Sequence, residues 1–478
     1  MGINENVQKA SKWSLLTELL TKLMSPIVNM ILARLISPEA FGMVATITMV
    51  TSFADLFTDS GFQKYLIQRK ITDSQELDKD TNVAFWTNLS LSIILWLLIL
   101  LFRDGLAVAV GNKGLGNAIS IAALSLPLTS FSSIQMARFR RDFDFKTLFL
   151  AKIIGILIPL FVTLPLAFVL KNYWAIVIGN IAVNLSNAVL LTIRSKWKPS
   201  LYFSFFRLKN MFSFSMWTLL EQLLGWANLN VAIFIVGRFL SPYYLGLYKT
   251  SIATTNQIML ILVNAFSPVL FSALSRLKED SESFLEMYYS FIQKTGFIVL
   301  PLGVGIYVFK DLFVKILLGN QWNEAAAFVG LWGMLKAINI IFGYYSMEVF
   351  VALGKPKYSV ITQILELVIL LPVLVFTVPY GYKVVYLSRC AVVIWSIIIE
   401  IFFLYIVAGI SPMRSLKSTW SSIVSTLIMG GIGCSISRIH NSIIWELFSV
   451  LICIITYFVT MLATSEGRII VKNFFKMR

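Results

Sequence analysis

RLISPEAFG at residues 34–42 is followed, 204 positions later, by RFLSPYYLG at residues 238–246. Both strings contain the pattern Arg-x-x-Ser-Pro-x-x-x-Gly. A cation suits the C-terminal end of one helix, and serine followed by proline suits the N-cap and first turn of the next. The pattern therefore predicts a tight hairpin of two helices, built twice in the chain.

The similarity continues upstream of these strings. Residues 11–42 align with residues 215–246 without a gap, and 11 of the 32 aligned pairs are identical. We count six helical segments per repeat, and an even number gives both copies the same orientation in a membrane. The repeat thus predicts two lobes related by an axis along the membrane normal, an arrangement common in transporters.

The composition indicates an integral membrane protein. Of 478 residues, 58% are hydrophobic and 13% are charged, against about 25% charged residues in soluble domains. Only helices or closed barrels satisfy the backbone in lipid, and the long apolar runs favour helices. The net charge of +16 fits basic cytosolic loops better than nucleic-acid binding.

The scarcity of ligating and nucleophilic residues argues against an enzyme. The chain has one histidine, His440, and three cysteines that lie within apolar runs. The chain therefore has few residues that could form a metal site or a histidine-based catalytic site. We expect a non-enzyme without a metal or an organic cofactor.

Windows of about 20 apolar residues, long enough to cross a bilayer, give about fourteen transmembrane helices. They fall at residues 13–36, 40–60, 83–102, 115–137, 147–170, 173–193, 212–237, 242–271, 289–309, 325–353, 357–378, 382–408, 418–438 and 441–463. With the N-terminus in the cytosol, 26 of the 40 Lys and Arg residues fall in inside segments and 10 in outside segments. This bias predicts that both termini are cytosolic.

Several short motifs resemble those of one transporter family. They are Lys12-Trp13-Ser14, Leu32-Ala33-Arg34-Leu35, Phe41-Gly42, Ala54-Asp55, Asp59-Ser60-Gly61-Phe62, Ile67-Gln68-Arg69-Lys70 and Gly319-Asn320-Gln321-Trp322-Asn323. The chain resembles the polysaccharide transporter (Wzx-type) flippases of the multidrug/oligosaccharidyl-lipid/polysaccharide superfamily, and is most similar to the colanic-acid and teichuronic-acid branch.

This resemblance implies an all-α integral membrane fold, with two pseudo-symmetric six-helix lobes around a central cavity and two extra C-terminal helices. We expect an N-terminal lobe at residues 1–210, a C-terminal lobe at 211–408, and helices 13 and 14 with a cytosolic tail at 409–478. The implied activity is movement of an undecaprenyl-diphosphate-linked oligosaccharide from the inner to the outer leaflet of a bacterial cytoplasmic membrane, by alternating access.

Polar and charged residues inside spans are candidate functional groups, because burying them in hydrocarbon is expensive. For binding of substrate in the cavity the candidates are Lys22, Asn29, Lys152, Asn228, Lys336, Asn339 and Arg389. For coupling or gating they are Glu18, Asp55, Asp59, Arg138, Arg140, Arg141 and Glu221. In particular, Lys22 and Lys336 are expected to bind the diphosphate, and Asp55 and Asp59 to form an inner gate with the three arginines.

Each assignment has a structural alternative. Glu18 and Lys22, one helical turn apart, could neutralise each other. Lys152 and Arg389 could extend toward the headgroups, and Lys336 could pair permanently with Glu348 or Glu366. Asp55 and Asp59 could make fixed contacts or face solvent.

Three classes of function remain open. The first is the flippase, whose partners would be the lipid-linked oligosaccharide, membrane lipids and other polysaccharide-assembly proteins, with possible proton or sodium coupling. The second is a cation-coupled exporter of small molecules on the same fold. The third is a membrane-embedded glycan polymerase or ligase, which the short outer loops disfavour.

Overall fold

The computed structural model describes residues 3–59, 62–68, 73–440 and 442–475. Within these ranges, the side chains of residues 3–12, 14, 15, 18, 19, 23, 59, 213–218, 220, 221, 262, 264, 265 and 473–475 are not described. The side chains of Glu18, Asp59 and Glu221, three predicted site residues, therefore lie outside the description.

The described chain is all-helical, as predicted, and each of the fourteen predicted windows falls on one helix or on two consecutive ones. Contacts divide the chain into two compact units, residues 1–246 and 247–478. The first contains α1 (Ile3–Leu35), α2 (Pro38–Asp59), α3 (Phe62–Gln68), α4 (Ser74–Leu101), α5 (Arg103–Ala109), α6 (Gly116–Ala122), α7 (Ser125–Arg141), α8 (Phe145–Ile158), α9 (Leu164–Leu170), α10 (Trp174–Arg194) and α11 (Phe205–Phe239).

The second unit begins within α12 (Pro242–Arg276). It continues with α13 (Ser281–Val308), α14 (Lys310–Leu317), α15 (Ala326–Asn339), α16 (Ser346–Ala352), α17 (Lys357–Thr377), α18 (Tyr382–Ala408), α19 (Pro412–Ile436), α20 (Ile443–Ala463) and α21 (Ser465–Phe475). One π-helical segment, Pro159–Thr163, joins α8 to α9, and another, Ile340–Tyr344, follows α15.

Eleven helical segments of the described chain are long and apolar enough to cross a membrane. The count rises to 12 if the two parts of α12, bent by 53°, form one span. Helices α1 and α11, with 33 and 35 residues, also have ample length but include side chains that are not described. The protein is thus a multi-pass membrane protein, consistent with the predicted count of fourteen.

The repeated hairpin has the predicted geometry. Helix α2 begins at Pro38, and the backbone N–H of Ala40 donates to Ser37 Oγ over 3.3 Å. In the second copy α12 begins at Pro242, and the N–H of Leu245 donates to the Ser241 carbonyl over 3.1 Å. Proline therefore occupies the first position of both helices, and the serine side chain caps the first copy.

Helix α11 packs within the first unit, although the repeat places it at the start of the second lobe. Its Trp226 Nε1 donates to Ser52 Oγ of α2 over 3.0 Å, and the Trp226 ring lies 4.9 Å from that of Phe53. Contacts therefore divide the chain after Gly246. The lobe boundaries at residues 210 and 408 stay a prediction.

The connection between α10 and α11 is fastened to the N-terminal part of α4. Ser200 N donates to Asn82 Oδ1 and Asn82 Nδ2 donates to Ser200 Oγ, both over 2.8 Å. Arg207 pairs with Glu76 and, over 2.7 Å, with Asp80, whose side chain is 1% exposed. These contacts fix where α11 begins.

The last two spans belong to the second unit. Tyr457 of α20 donates its hydroxyl to the Phe297 carbonyl of α13 over 2.7 Å, and Met429 of α19 lies in the same buried cluster. The amphipathic helix α21 adds Ile470 to that cluster. The C-terminal helices thus pack on α13.

Candidate functional site

A cavity of about 620 Å³ opens among the helices of the first unit. This volume lies within the range of about 300–1,000 Å³ that is typical of ligand sites. Helices α1, α7, α8 and α10 and the π-helical segment between α8 and α9 form its walls. Its polar lining residues are Thr17, Thr21, Ser25, Asn29, Arg140, Lys152 and Asn187.

One wall is a stripe along α1. Thr17, Thr21, Ser25 and Asn29 recur every four residues, which places them on one face of the helix. The hydroxyls of Thr17 and Thr21 donate to carbonyls of the preceding turn over 2.8 Å. The structure places the predicted Asn29 in this wall, whereas Lys22 is not among the described lining residues.

Two cations reach the same cavity from neighbouring helices. Arg140 lies in the last turn of α7, where a cation complements the helix dipole, and Lys152 lies two turns into α8. Arg140 Nη1 donates to the neutral Gln63 Oε1 over 3.2 Å. No Asp or Glu is among the described residues that line the cavity. The charged residues of the described lining are thus both cations, which suits an anionic ligand.

A second, smaller cavity of about 180 Å³ adjoins this one, since Val183 lines both. Its polar lining residues are Thr48, Thr51, Ser125, Asn180 and Asn184. With Asn187, the last two form a row of amides on α10 that the sequence analysis missed. The signal was present, because three asparagines at positions i, i+4 and i+7 of an apolar span are costly.

The row on α10 is held against the π-helical segment by close packing. A Cβ added at Gly179 would overlap Thr163 Oγ1, so only glycine allows this approach. The π-helical turn begins at Pro159, whose ring cannot fit a regular helix interior. This backbone distortion lies in the cavity wall, where Pro159 is itself a lining residue.

The predicted gate shows different partners for two of its members. Asp55 accepts hydrogen bonds from Thr58 over 2.8 Å and from Thr129 over 3.1 Å. Arg138 pairs with Asp78 over 2.6 Å. In this structure Asp55 and Arg138 therefore each have a polar partner other than the one that the gate predicts.

The two remaining arginines of that cluster also have partners of their own. Arg141 donates to the Leu66 carbonyl over 2.6 Å, whereas Arg140 bonds Gln63 and lines the larger cavity. The gate stays a prediction for Asp59, whose side chain is not described.

The second unit contains a partly buried polar chain. Lys336 Nζ donates to Asn339 Oδ1 over 3.1 Å, and Asn339 Nδ2 donates to Glu400 Oε2 over 3.0 Å. A Cβ added at Gly343 would overlap that carboxylate oxygen, so the glycine makes room for it. Glu400, which the sequence analysis did not single out, is thus linked to Lys336 through an amide.

Arg389 and Glu366, which are 23 residues apart in the sequence, form a separate ion pair in the same unit. Arg389 Nη2 lies 3.4 Å from Glu366 Oε1, and its guanidinium lies over the Trp332 ring at 5.1 Å. In this structure Lys336 bonds Asn339 and Arg389 engages Glu366, and the alternative pairing of Lys336 with Glu348 or Glu366 stays a prediction. Asn228 of the first unit donates to its own helix at the Leu224 carbonyl.

Comparisons with known proteins agree with one another. The family described as "Polysaccharide biosynthesis protein" matches residues 31–327. The lipopolysaccharide biosynthesis protein WzxC of Escherichia coli is 22% identical over 330 residues, which cover 68% of this chain and 65% of that protein. The chain therefore spans just under two thirds of that relative's length.

Two solved structures share the fold. The lipid II flippase MurJ in an inward closed conformation has a TM-score of 0.74 at 14% identity, covering 94% of this chain and 98% of that one. A multidrug resistance MATE family transporter in an inward-facing conformation has a TM-score of 0.61 at 14% identity, covering 81% and 94%. These similarities establish the fold that the sequence predicted.

Proposed function

This chain belongs to the polysaccharide biosynthesis protein family, and we propose that it moves an undecaprenyl-diphosphate-linked oligosaccharide from the inner to the outer leaflet by alternating access. The chain would thereby serve surface polysaccharide biosynthesis as a transporter, without catalysing a covalent step. The names of its relatives, a lipopolysaccharide biosynthesis protein and a lipid II flippase, support this substrate class.

The single observation that carries the proposal is the cavity of about 620 Å³ among membrane-spanning helices, lined by hydroxyls, amides and two cations. A glycan needs hydrogen-bonding partners while it crosses hydrocarbon, because each unsatisfied polar group there is costly. The diphosphate needs positive charge. This lining offers both within one continuous surface.

Within the cavity we assign the diphosphate to Arg140 and Lys152. Charge-assisted hydrogen bonds to phosphate are about twice as strong as neutral ones. Lysine acts as a flexible point charge rather than a rigid fork, which suits a carrier that must release its cargo. Since Lys336 is already engaged with Asn339, the diphosphate role that the sequence suggested for it moves to this pair.

The alternative is a multidrug-type exporter, which the shared MATE fold permits. A site for cationic drugs would contain carboxylates. No Asp or Glu is among the described residues that line the two cavities of the first unit, whereas two cations are. The charge of the lining thus favours an anionic cargo.

The loop charges support a chain in the bacterial cytoplasmic membrane with both termini in the cytosol. A reporter that works only outside the cytosol should be active after Asn172 and silent after Arg478; the reverse pattern would refute this orientation. Proton or sodium coupling, and contact with other polysaccharide-assembly proteins, belong to the same proposal. Coupling predicts that collapsing one ion gradient slows export, and insensitivity to both gradients would exclude it.

Deletion of the gene tests the function directly. Surface polysaccharide should disappear while the lipid-linked oligosaccharide accumulates with its glycan facing the cytosol. The wild-type gene should restore export, and the K152Q/R140Q variant should restore less at equal abundance. Unchanged polysaccharide export, or accumulation of the intermediate on the outer leaflet, would refute the proposal.

A further inference from the structure

Three asparagines form a row along one face of α10. Asn180, Asn184 and Asn187 follow each other at helical spacing, and they extend over about 10 Å along the axis at 1.5 Å per residue. Asn187 lines the larger cavity, and Asn180 and Asn184 line the smaller one. The row therefore connects the two cavities.

These amides differ from three other asparagines of the first unit. Asn82, Asn88 and Asn112 each donate to a serine or threonine hydroxyl within 2.9 Å and thereby join helices or loops. Within the described ranges, none of the three amides on α10 has a hydrogen bond to another side chain. Packing between helices consequently does not account for them.

An amide in an apolar span is costly unless something satisfies it. Helix α10 is otherwise apolar enough to span a membrane, with a mean hydropathy of 1.8 in its best window. Water or a polar ligand must therefore complete the hydrogen bonds of this row. Thr48 and Thr51 of α2 also line the smaller cavity and supply hydroxyls there.

We infer that Asn180, Asn184 and Asn187 bind the hydroxyl groups of uncharged sugar units, and that this row discriminates among glycans. A carboxamide offers two donors and an acceptor side by side, which matches neighbouring hydroxyls of a hexose. Because the row carries no charge, it leaves the diphosphate to Arg140 and Lys152. The inference rests on the proposed function and deepens it.

Binding to the purified full-length protein tests the row with two probes. These are undecaprenyl diphosphate alone and the same lipid carrying one uncharged hexose. Losing three hydrogen bonds of this kind should cost at least about tenfold in affinity. We expect the wild type to prefer the hexose-bearing probe by about this factor, and the N180L/N184L/N187L variant to bind the two probes within about twofold of each other.

Two control variants show whether a loss of preference results from misfolding. Asn230 lies on α11, where its amide donates to its own helix at the Trp226 carbonyl, and it lines neither cavity. N230L makes the same chemical change elsewhere and should keep the wild-type preference. N184Q retains the amide and should keep most of it.

The outcomes distinguish a failure of the sugar-binding row from a failure of the proposed function. Equal preference for the hexose probe in the triple variant and the wild type would overturn the sugar-binding row while leaving the proposed function intact. Failure of the wild type to bind either lipid would overturn the proposed function, and the row with it. A loss of preference confined to the triple variant supports the row.

Discussion

Gly42 and Gly246, equivalent residues of the two repeats, pack against each other within the first unit. A Cβ added at Gly42 would overlap the Pro242 carbonyl oxygen, and one added at Gly246 would overlap that of Pro38. The contact is reciprocal, since each glycine lies against the proline that starts the other repeat's helix. The motif that revealed the repeat thus also brings its two copies together.

The glycine contact predicts a steep cost for a single methyl group. Backbone atoms cannot move aside as a flexible side chain can, so G42A should destabilise the protein by about 1–3 kcal/mol. G246A should act alike. The midpoint of thermal unfolding of the detergent-purified protein measures this.

Gly225 is the matched control, because it lies in helix α11 with nothing within 4 Å of a Cβ added there. G225A should be neutral or slightly stabilising, since alanine favours a helix. If G42A and G225A unfold at the same temperature, the reciprocal contact is not formed in the protein.

The ion pairs of Arg207 with Glu76 and Asp80 should control whether the first unit folds. The Arg207 guanidinium bridges Glu76 and the buried Asp80, so R207Q removes a cation from beside a buried carboxylate, at a cost of about 3 kcal/mol. We expect low membrane abundance for R207Q and partial recovery in R207Q/D80N. Quantitative blotting measures the abundance of each variant. The control is K209Q, which removes a nearby cation that lies outside the Arg207 ion pairs; equal abundance of R207Q and K209Q would argue against these ion pairs.

The chain from Lys336 through Asn339 to Glu400 should behave as a structural unit. K336Q removes the cation from a partly buried network and should cost about 1–3 kcal/mol, seen as reduced abundance. K336Q/E400Q keeps neutral hydrogen-bonding groups at both ends and should regain abundance. If instead K336Q is fully abundant but exports no glycan, Lys336 contacts the cargo.

Lys152 should affect transport and not folding. Removing its charge from the cavity should lower the affinity for the diphosphate by about tenfold or more, because hydrogen bonds to charged groups are worth about 1.5–3 kcal/mol. Export by K152Q should therefore drop at normal abundance. K146Q, on the same helix but outside the described lining, is the control, and equal export by the two variants would remove Lys152 from the site.

The sequence predicted the helices well because each span is a local property of about 20 consecutive residues. It also predicted the hairpin, where serine and proline act on their own neighbours. Partner choice was harder, since it depends on which helices meet. Asp55 bonds Thr129 of α7, and Glu400 joins Lys336 through Asn339, pairings that no spacing reveals.

The asparagine row marks a different limit. Asn29, Asn228 and Asn339 were predicted as site residues, whereas no asparagine of α10 was, and α10 has no charged residue before Arg194 in its last turn. Uncharged amides at helical spacing also indicate a functional surface inside a span, although each costs less free energy to bury than a charge does. The second cavity they line became visible only once α2, α7 and α10 were packed together.

Reconstitution offers the most direct test of the account. The purified protein is placed in liposomes with lipid-linked oligosaccharide extracted from the organism's membranes, and a membrane-impermeant enzyme that cleaves the terminal sugar is added outside. The account predicts that glycan of the inner leaflet becomes cleavable with time, and more slowly with K152Q/R140Q than with K146Q. Cleavage that stops at the outer-leaflet share, as in protein-free liposomes, would contradict it.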